Sequence, residues 1–416
     1  MIKHFFQVFV LGVSLLSCKA QKPEAVLEKP KPVEKKPIIV KEDTVVQKVP
    51  ERQRPYNFLL LLPADLAEAF TNDTITPDSI VVRESYSRDL TDAIHFYEGA
   101  VLAVDSLRKA GNDIRLKVVD LPWNEERQVT KVWIQKYDTM DVVFSMLKGK
   151  PLKTLNRVLS GKKIPLISCA TNSCAEVEKN PRAVCVQPSS LTQCALAGAY
   201  ARDRFKSDNI IIITGTSDKE KERYAAFLSA FRDSAARARI KKVNLSEGGE
   251  PALTKALSLT YTNTLFFPST DEDLVSTLYS ILRSYEGTYR FRVVGLPVWQ
   301  LFETMDPRML EKYNTILFTA EYYSYDEHNT LLFRKKFRQS FSTEPRDAAY
   351  LGYDSFLQFG KLFIDKQLPF DVPETNLKGL RGKYQFYNAD SAAAENHYID
   401  MIKIENFRYV KMSREN

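Results

Sequence analysis

Histidine is scarce in this 416-residue chain. His4, His95, His328 and His397 are scattered, and the first of them precedes an N-terminal apolar run. No H-E-x-x-H, G-x-S-x-G or G-x-x-x-x-G-K-S/T pattern occurs, and Gly149-Lys150 lacks the glycine and hydroxyl positions of a phosphate loop. The turn at Gly215-Thr216 lacks the G-x-G-x-x-G spacing that cradles a pyrophosphate. No pair of carboxylates has a spacing that demands acid–base work. These absences predict a non-catalytic protein with no cofactor and no metal. A strongly charged body is also missing. Of the formal net charge of +7, residues 1–55 hold 11 Lys/Arg against 6 Asp/Glu, which leaves +2 for the remainder. A nucleic-acid partner needs a basic stripe on the folded part, and none is evident. With 44% hydrophobic and 27% charged residues, 15 Gly and 20 Pro, the composition excludes a collagen-like, polytopic membrane or mainly disordered chain.

Long apolar runs are likewise absent, with one short exception. Lys3 and His4 precede an apolar stretch from Phe5 to Leu16, too short for a membrane span and well sized for a signal-peptide core. It ends in Leu15-Leu16-Ser17-Cys18, the pattern of a bacterial lipobox, so residues 1–18 are expected to be a lipoprotein signal peptide with Cys18 as the lipidated residue. An ordinary signal peptide with an incidental cysteine is the alternative. Lys19, rather than Asp, follows the cysteine, which by known sorting rules points to the outer membrane, facing the periplasm. Residues 19–55 carry six prolines and alternating charges without amphipathic period, and are expected to form an extended tether. Fully stretched, it would span on the order of 120 Å.

Four more cysteines, Cys169, Cys174, Cys185 and Cys194, fall within 26 residues. In an oxidising compartment one or two disulfides are expected, with three full connectivities open, and buried free thiols as the other reading. The spacings lack C-x2-C knuckles and no histidine is near, which argues against zinc.

From Tyr56 onward, buried strand patterns alternate with helical ones. YNFLLLL (Tyr56–Leu62), IRLKVVDL, DVVFSM, IPLIS and Ala183–Gln187 read as strands, separated by helices over Leu90–Leu107, Glu126–Tyr137 and Leu152–Leu159. A second series follows: helix Leu191–Phe205, strand NIIIIT, a long helix Asp218–Ala238, and a short strand at Lys241–Leu245. Helix Leu253–Leu259, strand TLFFP, helix Asp271–Ser284, and strands at Arg290–Gly295 and Thr315–Thr319 complete it. Alternation of this kind predicts an α/β protein with parallel sheets, and two similar series predict two lobes.

Several stretches resemble the type I periplasmic binding proteins, the family of leucine/isoleucine/valine-binding proteins. FYEGAVLAVDSLRKAG (Phe96–Gly111), GKKIPLISCATNS (Gly161–Ser173), NTLFFPSTDEDLVSTL (Asn263–Leu278) and RVVGLPVW (Arg292–Trp299) carry the likeness. FRKKFRQSFSTEPRDAAYLGYDSFLQFGKLF (Phe333–Phe363) is its most specific part. The segments MDPRMLEKYNTILFTAEYYSYD and NHYIDMIKIENFRYVKM are similar to a Bacteroidetes-type lipoprotein branch often linked to LysM cell-wall modules; this chain contains no such module.

The resemblance implies a two-lobed fold, each lobe a parallel sheet flanked by helices. Lobe I would be 56–189 plus 325–369, and lobe II 190–324 plus 377–416. It further implies a small polar ligand, such as an amino acid, held between strand-end loops by Asp65, Lys148, Ala170, Thr171, Asn172, Ser189, Thr216, Ser217, Trp299 and Tyr322. Ala170, Thr171 and Asn172 roughly overlay the family's carboxylate clamp. The acidic partner for an α-ammonium is missing after the Arg292–Gly295 strand, where Leu296-Pro297-Val298-Trp299 stands instead. Tyr353-Asp354 is expected to cap and anchor a helix. Two functions follow: a lipid-anchored solute-binding protein, or a non-catalytic envelope protein that binds the cell-wall synthesis machinery or peptidoglycan through the same fold.

Overall fold

The computed structural model describes residues 54–64, 88–121, 137–170, 174–365, 376–386 and 392–412. The expected signal peptide with Cys18, almost all of the tether, Asp65, Thr171 and Asn172, and all but the last residue of the Glu126–Tyr137 helix lie outside the described residues.

The first series supplies β1 (Tyr56–Leu62), β2 (Ile114–Asp120), β3 (Val142–Ser145), β4 (Leu166–Ser168) and β5 (Ala183–Cys185). The second supplies β6 (Asn209–Thr214), β7 (Lys241–Asn244), β8 (Asn263–Phe267), β9 (Phe291–Gly295) and β10 (Ile316–Thr319). Towards the C-terminus come β11 (Asn376–Lys378), β12 (Lys383–Gln385), β13 (Ala394–Glu395), β14 (Asp400–Glu405) and β15 (Arg408–Lys411). The principal helices are α1 (Arg88–Lys109), α2 (Gly149–Lys162), α3 (Ser190–Arg204), α4 (Asp218–Ser229), α5 (Glu272–Ser284), α6 (His328–Phe341) and α7 (Asp347–Asp354).

Two sheets result. The first has the order β13-β5-β4-β3-β1-β2 and is parallel throughout. The second, β15-β14-β10-β9-β8-β6-β7, is parallel from β7 to β10 and antiparallel at β14 and β15. The central strand β1 shows why YNFLLLL is apolar at consecutive positions. Phe58, Leu60 and Leu62 enter the core on one face of the sheet, and Leu59 and Leu61 enter the core on the other. β2, whose residues alternate, lies at the edge and is only half covered.

Helix packing departs from the sequence expectation in an instructive way. The apolar residues at helical spacing in α1, Ile94, Tyr97, Ala100, Val101, Val104 and Leu107, predict a stripe that includes Tyr97, which is exposed, whereas the buried face runs through Ala93, Phe96, Gly99, Ala100, Ala103 and Leu107. Small residues win because α1 and α7 cross at backbone contact. A Cβ on Gly99 would lie 1.9 Å from the Ala349 carbonyl oxygen, and one on Gly352 would lie 2.1 Å from that of Phe96. The second lobe repeats the device, with Gly198 of α3 against the Phe227 carbonyl of α4.

The long helix expected over Asp218–Ala238 is two: α4 ends at Ser229, and a separate turn covers Ser234–Ala238. Phe231 packs into the core beside Phe227, and Arg202 donates to the Ala230 carbonyl at 2.9 Å, satisfying a backbone acceptor at the break. The helix expected from Leu253 starts earlier, at Leu245, with a kink at Gly249 (φ 53°).

The chain crosses between sheets at residues 186–189 after β5, 320–327 after β10, and 396–399 between β13 and β14. β5, β10 and β13 are left at their carboxyl ends, and β14 begins at Asp400 opposite Thr319, the carboxyl end of β10. The carboxyl edges of both sheets therefore lie on the side where the lobes are joined.

This topology corrects one assignment. Residues from 377 onward were expected in lobe II, but β13 pairs with β5 of the first sheet, and Leu377, Tyr384 and Phe386 pack in the first lobe's core. The second sheet takes up the chain only from Asp400. The cause is the side chains: Tyr384 and Phe386 both pack edge-on against Phe359, in the segment that follows α7.

Candidate functional site

The carboxyl ends of parallel strands are where open α/β sheets hold ligands. On the first sheet, Lys148 follows β3 as the exposed residue that opens α2, with extended backbone (φ −133°, ψ 163°). Ala170 follows the adjacent β4 and is 1% exposed. Beside it, Gln187 donates to the Cys169 carbonyl at 3.0 Å, tying the loop after β4 to the first crossover. Cys174 and Cys185 form a disulfide that fastens the far end of that loop to β5. Cys169 and Cys194 are free and buried, and burial pushes both thiols up to about 12, so they are neutral.

Ser189 opens α3. Its hydroxyl accepts from the Thr192 N–H at 3.1 Å, and its own N–H donates to Glu395 Oε1 at 2.6 Å. On the second sheet, Thr216 and Ser217 are exposed after β6, with Ser217 preceding α4. The neighbouring Gly215 N–H is occupied by Glu220 Oε2 at 2.7 Å. Tyr322 sits on the second crossover. Its N–H donates to the Arg381 carbonyl at 2.9 Å, and its ring packs against the second lobe's core.

Trp299 does not belong with these residues. It is 1% exposed, donates from Nε1 to the Ser269 carbonyl at 2.8 Å, and meets Phe267 and Tyr279 edge-on. The indole fills the space beneath Gly295, where a Cβ would lie 2.3 Å from the ring. The apolar environment and a satisfied N–H make it a core residue, which corrects its expected place among the ligand-holding residues.

The structure thus arranges Lys148, Ala170 and Ser189 along one carboxyl edge and Thr216 and Ser217 along the other, with Tyr322 at the joint. Among the described residues, no group of three or more His, Cys, Asp or Glu is placed to hold a metal ion.

Behind the crossovers lies a polar network that sequence reasoning missed. Asp354, at the end of α7, is buried and accepts from Leu380 N–H (2.8 Å), Arg381 N–H (2.9 Å) and the Tyr384 hydroxyl (3.0 Å). It does not cap its own helix; it anchors the β11–β12 hairpin. Burial raises the pKa of its carboxyl, opposed by the three donors and by the Arg381 charge. Arg381, carried by the hairpin turn, reaches Glu321 of the second crossover at 2.6 Å. Burial works against the Arg381 charge, but the pull of Glu321, Tyr384 and Asp347 raises its pKa above the usual guanidinium value. At the third crossover, buried Asp400 accepts from the Tyr398 hydroxyl and pairs with Lys411, each at 2.6 Å. The one available sequence signal was Gly379-Leu-Arg-Gly382, a turn signature; Gly382 has φ 140°.

No family model and no curated protein matches the chain. Solved structures do. The chain is similar to a putative branched-chain amino acid ABC transporter from Rhodospirillum rubrum, with TM-score 0.62 and 11% identity over 86% of this chain and 100% of that one. The fold is that of the type I periplasmic binding proteins. An ABC transporter substrate-binding protein from Desulfitobacterium hafniense in complex with Leu gives TM-score 0.55 at 13% identity, with 86% and 100% of the two chains covered. The C-domain of LpoA from Haemophilus influenzae, a regulator of PBP1A, gives 0.58 at 12% identity, again covering 86% and 100%. These neighbours are binding proteins and a regulator. Among the described residues, no helix is long and apolar enough to cross a membrane.

Proposed function

We propose that this is a non-catalytic binding protein of the cell envelope, lipid-anchored through Cys18, whose two lobes close on a small polar ligand. The observation that carries the reading is the arrangement of the crossovers: all three join the sheets at their carboxyl edges, so the strand-end loops of the two lobes share one side of the molecule. Hinged closure across such a joint is the way two-lobed binding folds capture small molecules. The ligand need not be an ordinary α-amino acid, because Leu296-Pro297-Val298-Trp299, the segment where the family resemblance expects an ammonium-binding acid, carries no carboxylate.

A thermal-shift screen with amino acids, short peptides and cell-wall fragments tests this. A ligand at a hundred times its Kd adds about 2.7 kcal/mol to stability, a shift of several degrees. Cys18→Ser is expected to move the protein out of the membrane fraction; retention there contradicts the anchor.

A second reading, an envelope protein that binds the cell-wall synthesis machinery or peptidoglycan, is favoured by the second lobe. There Trp299 is turned into the core and the Gly215 N–H is already engaged by Glu220. It gains if no small molecule shifts the melting temperature and a pull-down recovers cell-wall synthesis proteins.

A further inference from the structure

At the opposite edge of the second sheet, where its parallel strands begin, lies a cavity of about 480 Å³. Residues just before β8, β9 and β10 line it, together with Lys403 of β14, which pairs with Ile316 at the start of β10. It is therefore remote from the strand-end loops of the proposed cleft. Its wall carries four basic side chains, Arg290, Arg292, Lys312 and Lys403, and one acid, Glu286.

Three of the four cations are held by single carboxylates: Arg292 by Asp208, Lys312 by Glu286 at 2.5 Å, and Lys403 by Glu405 at 2.6 Å. Arg290 donates to a neutral group, the Thr260 carbonyl. Tyr313 also lines the cavity. It is 4% exposed, and its hydroxyl is buried without a hydrogen-bond partner among the described residues. Two apolar groups stand exposed at this end of the lobe. Tyr261 adjoins the lining residue Thr262, and Phe407 lies in the β14–β15 turn, whose Asn406 N–H donates to Glu311 beside Lys312.

We propose that this cavity is an anion site that takes a phosphate-bearing ligand. Converging cations focus potential in a partly enclosed space, and a phosphate brings nearly two negative charges and several strong acceptors to meet them. Arginine and lysine are both suited to it, Arg290 as a planar fork and Lys312 as a mobile point charge. The same chemistry is offered by a soluble phosphate compound and by an anionic phospholipid headgroup, for which exposed Tyr261 and Phe407 would supply interfacial contacts.

The test uses the full-length protein with Arg290→Gln, Lys312→Gln and Tyr313→Phe variants. The melting temperature is followed with inorganic phosphate and pyrophosphate at low salt. Sedimentation is compared with phosphatidylglycerol and phosphatidylcholine vesicles, so that any lipid anchor contributes equally to both. A thermal shift with phosphate or pyrophosphate, weakened at least fivefold in affinity by Arg290→Gln and by Lys312→Gln, supports a soluble ligand. An excess on phosphatidylglycerol that both variants remove supports a headgroup. Tyr313→Phe is expected to weaken whichever binding is seen. No shift and no excess, or binding that Lys312→Gln leaves unchanged, overturns the proposal. Lys312 is half exposed, so its replacement is expected to leave the fold intact, which an unchanged circular-dichroism spectrum checks.

Discussion

Asp354 offers the sharpest test of how the hairpin and the crossover are held. Asp354→Ala removes an acceptor from three donors at once: the Leu380 and Arg381 N–H groups and the Tyr384 hydroxyl. A buried donor left without a partner costs about 1–3 kcal/mol, and the part-buried Leu380 N–H costs less than the other two. Some of that is recovered if water enters the space left by the carboxyl. A net loss of about 3–6 kcal/mol is expected, a large fraction of the roughly 5–15 kcal/mol that stabilises a typical domain. Urea unfolding reads it as a fall in midpoint with unchanged m-value. Hydrogen exchange should quicken at Leu380 and Arg381 first, since their amide protons lose their acceptor.

Protonation gives an independent check on the same residue. The Asp354 pKa is raised by burial, so the folded state holds this proton more tightly than the unfolded chain, whose Asp titrates near about 3.9. The stability contribution is therefore greatest below that value and is lost as pH rises through the raised one. Asp354→Asn should remove this component, so that the stability difference between wild type and variant changes with pH in that window alone. A loss below about 1 kcal/mol in Asp354→Ala, or a pH-independent difference for Asp354→Asn, would refute the reasoning.

Further outcomes follow from packing. Gly352→Ala would drive a methyl into the Phe96 carbonyl, separating α1 from α7, and is expected to cost about 1–3 kcal/mol or more by thermal unfolding. Trp299→Ala should cost about 3–5 kcal/mol in stability while leaving the Kd of any cleft ligand within a few-fold of wild type, because the indole lies in the core. Replacing Cys174 and Cys185 together by serine opens a loop with sequence separation 11. That is expected to cost about 3 kcal/mol on the chain-entropy estimate, measured against the oxidised protein.

The layered α/β architecture was legible because buried parallel strands leave an unmistakable mark: YNFLLLL and NIIIIT are apolar on both faces, and each is followed by a segment of helical period. Helix contact faces were less legible. A search for large apolar residues selects Tyr97, whereas the crossing of α1 and α7 is made by Gly99 and Gly352, whose contribution is the absence of a side chain. The C-terminal allocation failed for a related reason. Strands of two or three residues such as β13 carry little periodic signal, and their partners are set by tertiary contacts of Tyr384 and Phe386. Trp299 shows the limit at the site itself, since position after a strand cannot tell an indole that faces a ligand from one that folds back over a glycine. The Asp354–Arg381–Glu321 chain joins residues far apart in sequence, and the one local mark, the Gly379-Leu-Arg-Gly382 turn, announces a turn and not its partners.

The most direct test of the hinged clamp is a distance between its lobes. Lys148 and Thr216 are exposed on the two carboxyl edges, and cysteines placed there can carry spin labels while Cys169 and Cys194 remain buried. With any compound that raises the melting temperature, pulsed electron–electron resonance should show the distance distribution move to shorter values. A distribution that stays the same with every such compound would contradict closure of the two lobes on a ligand.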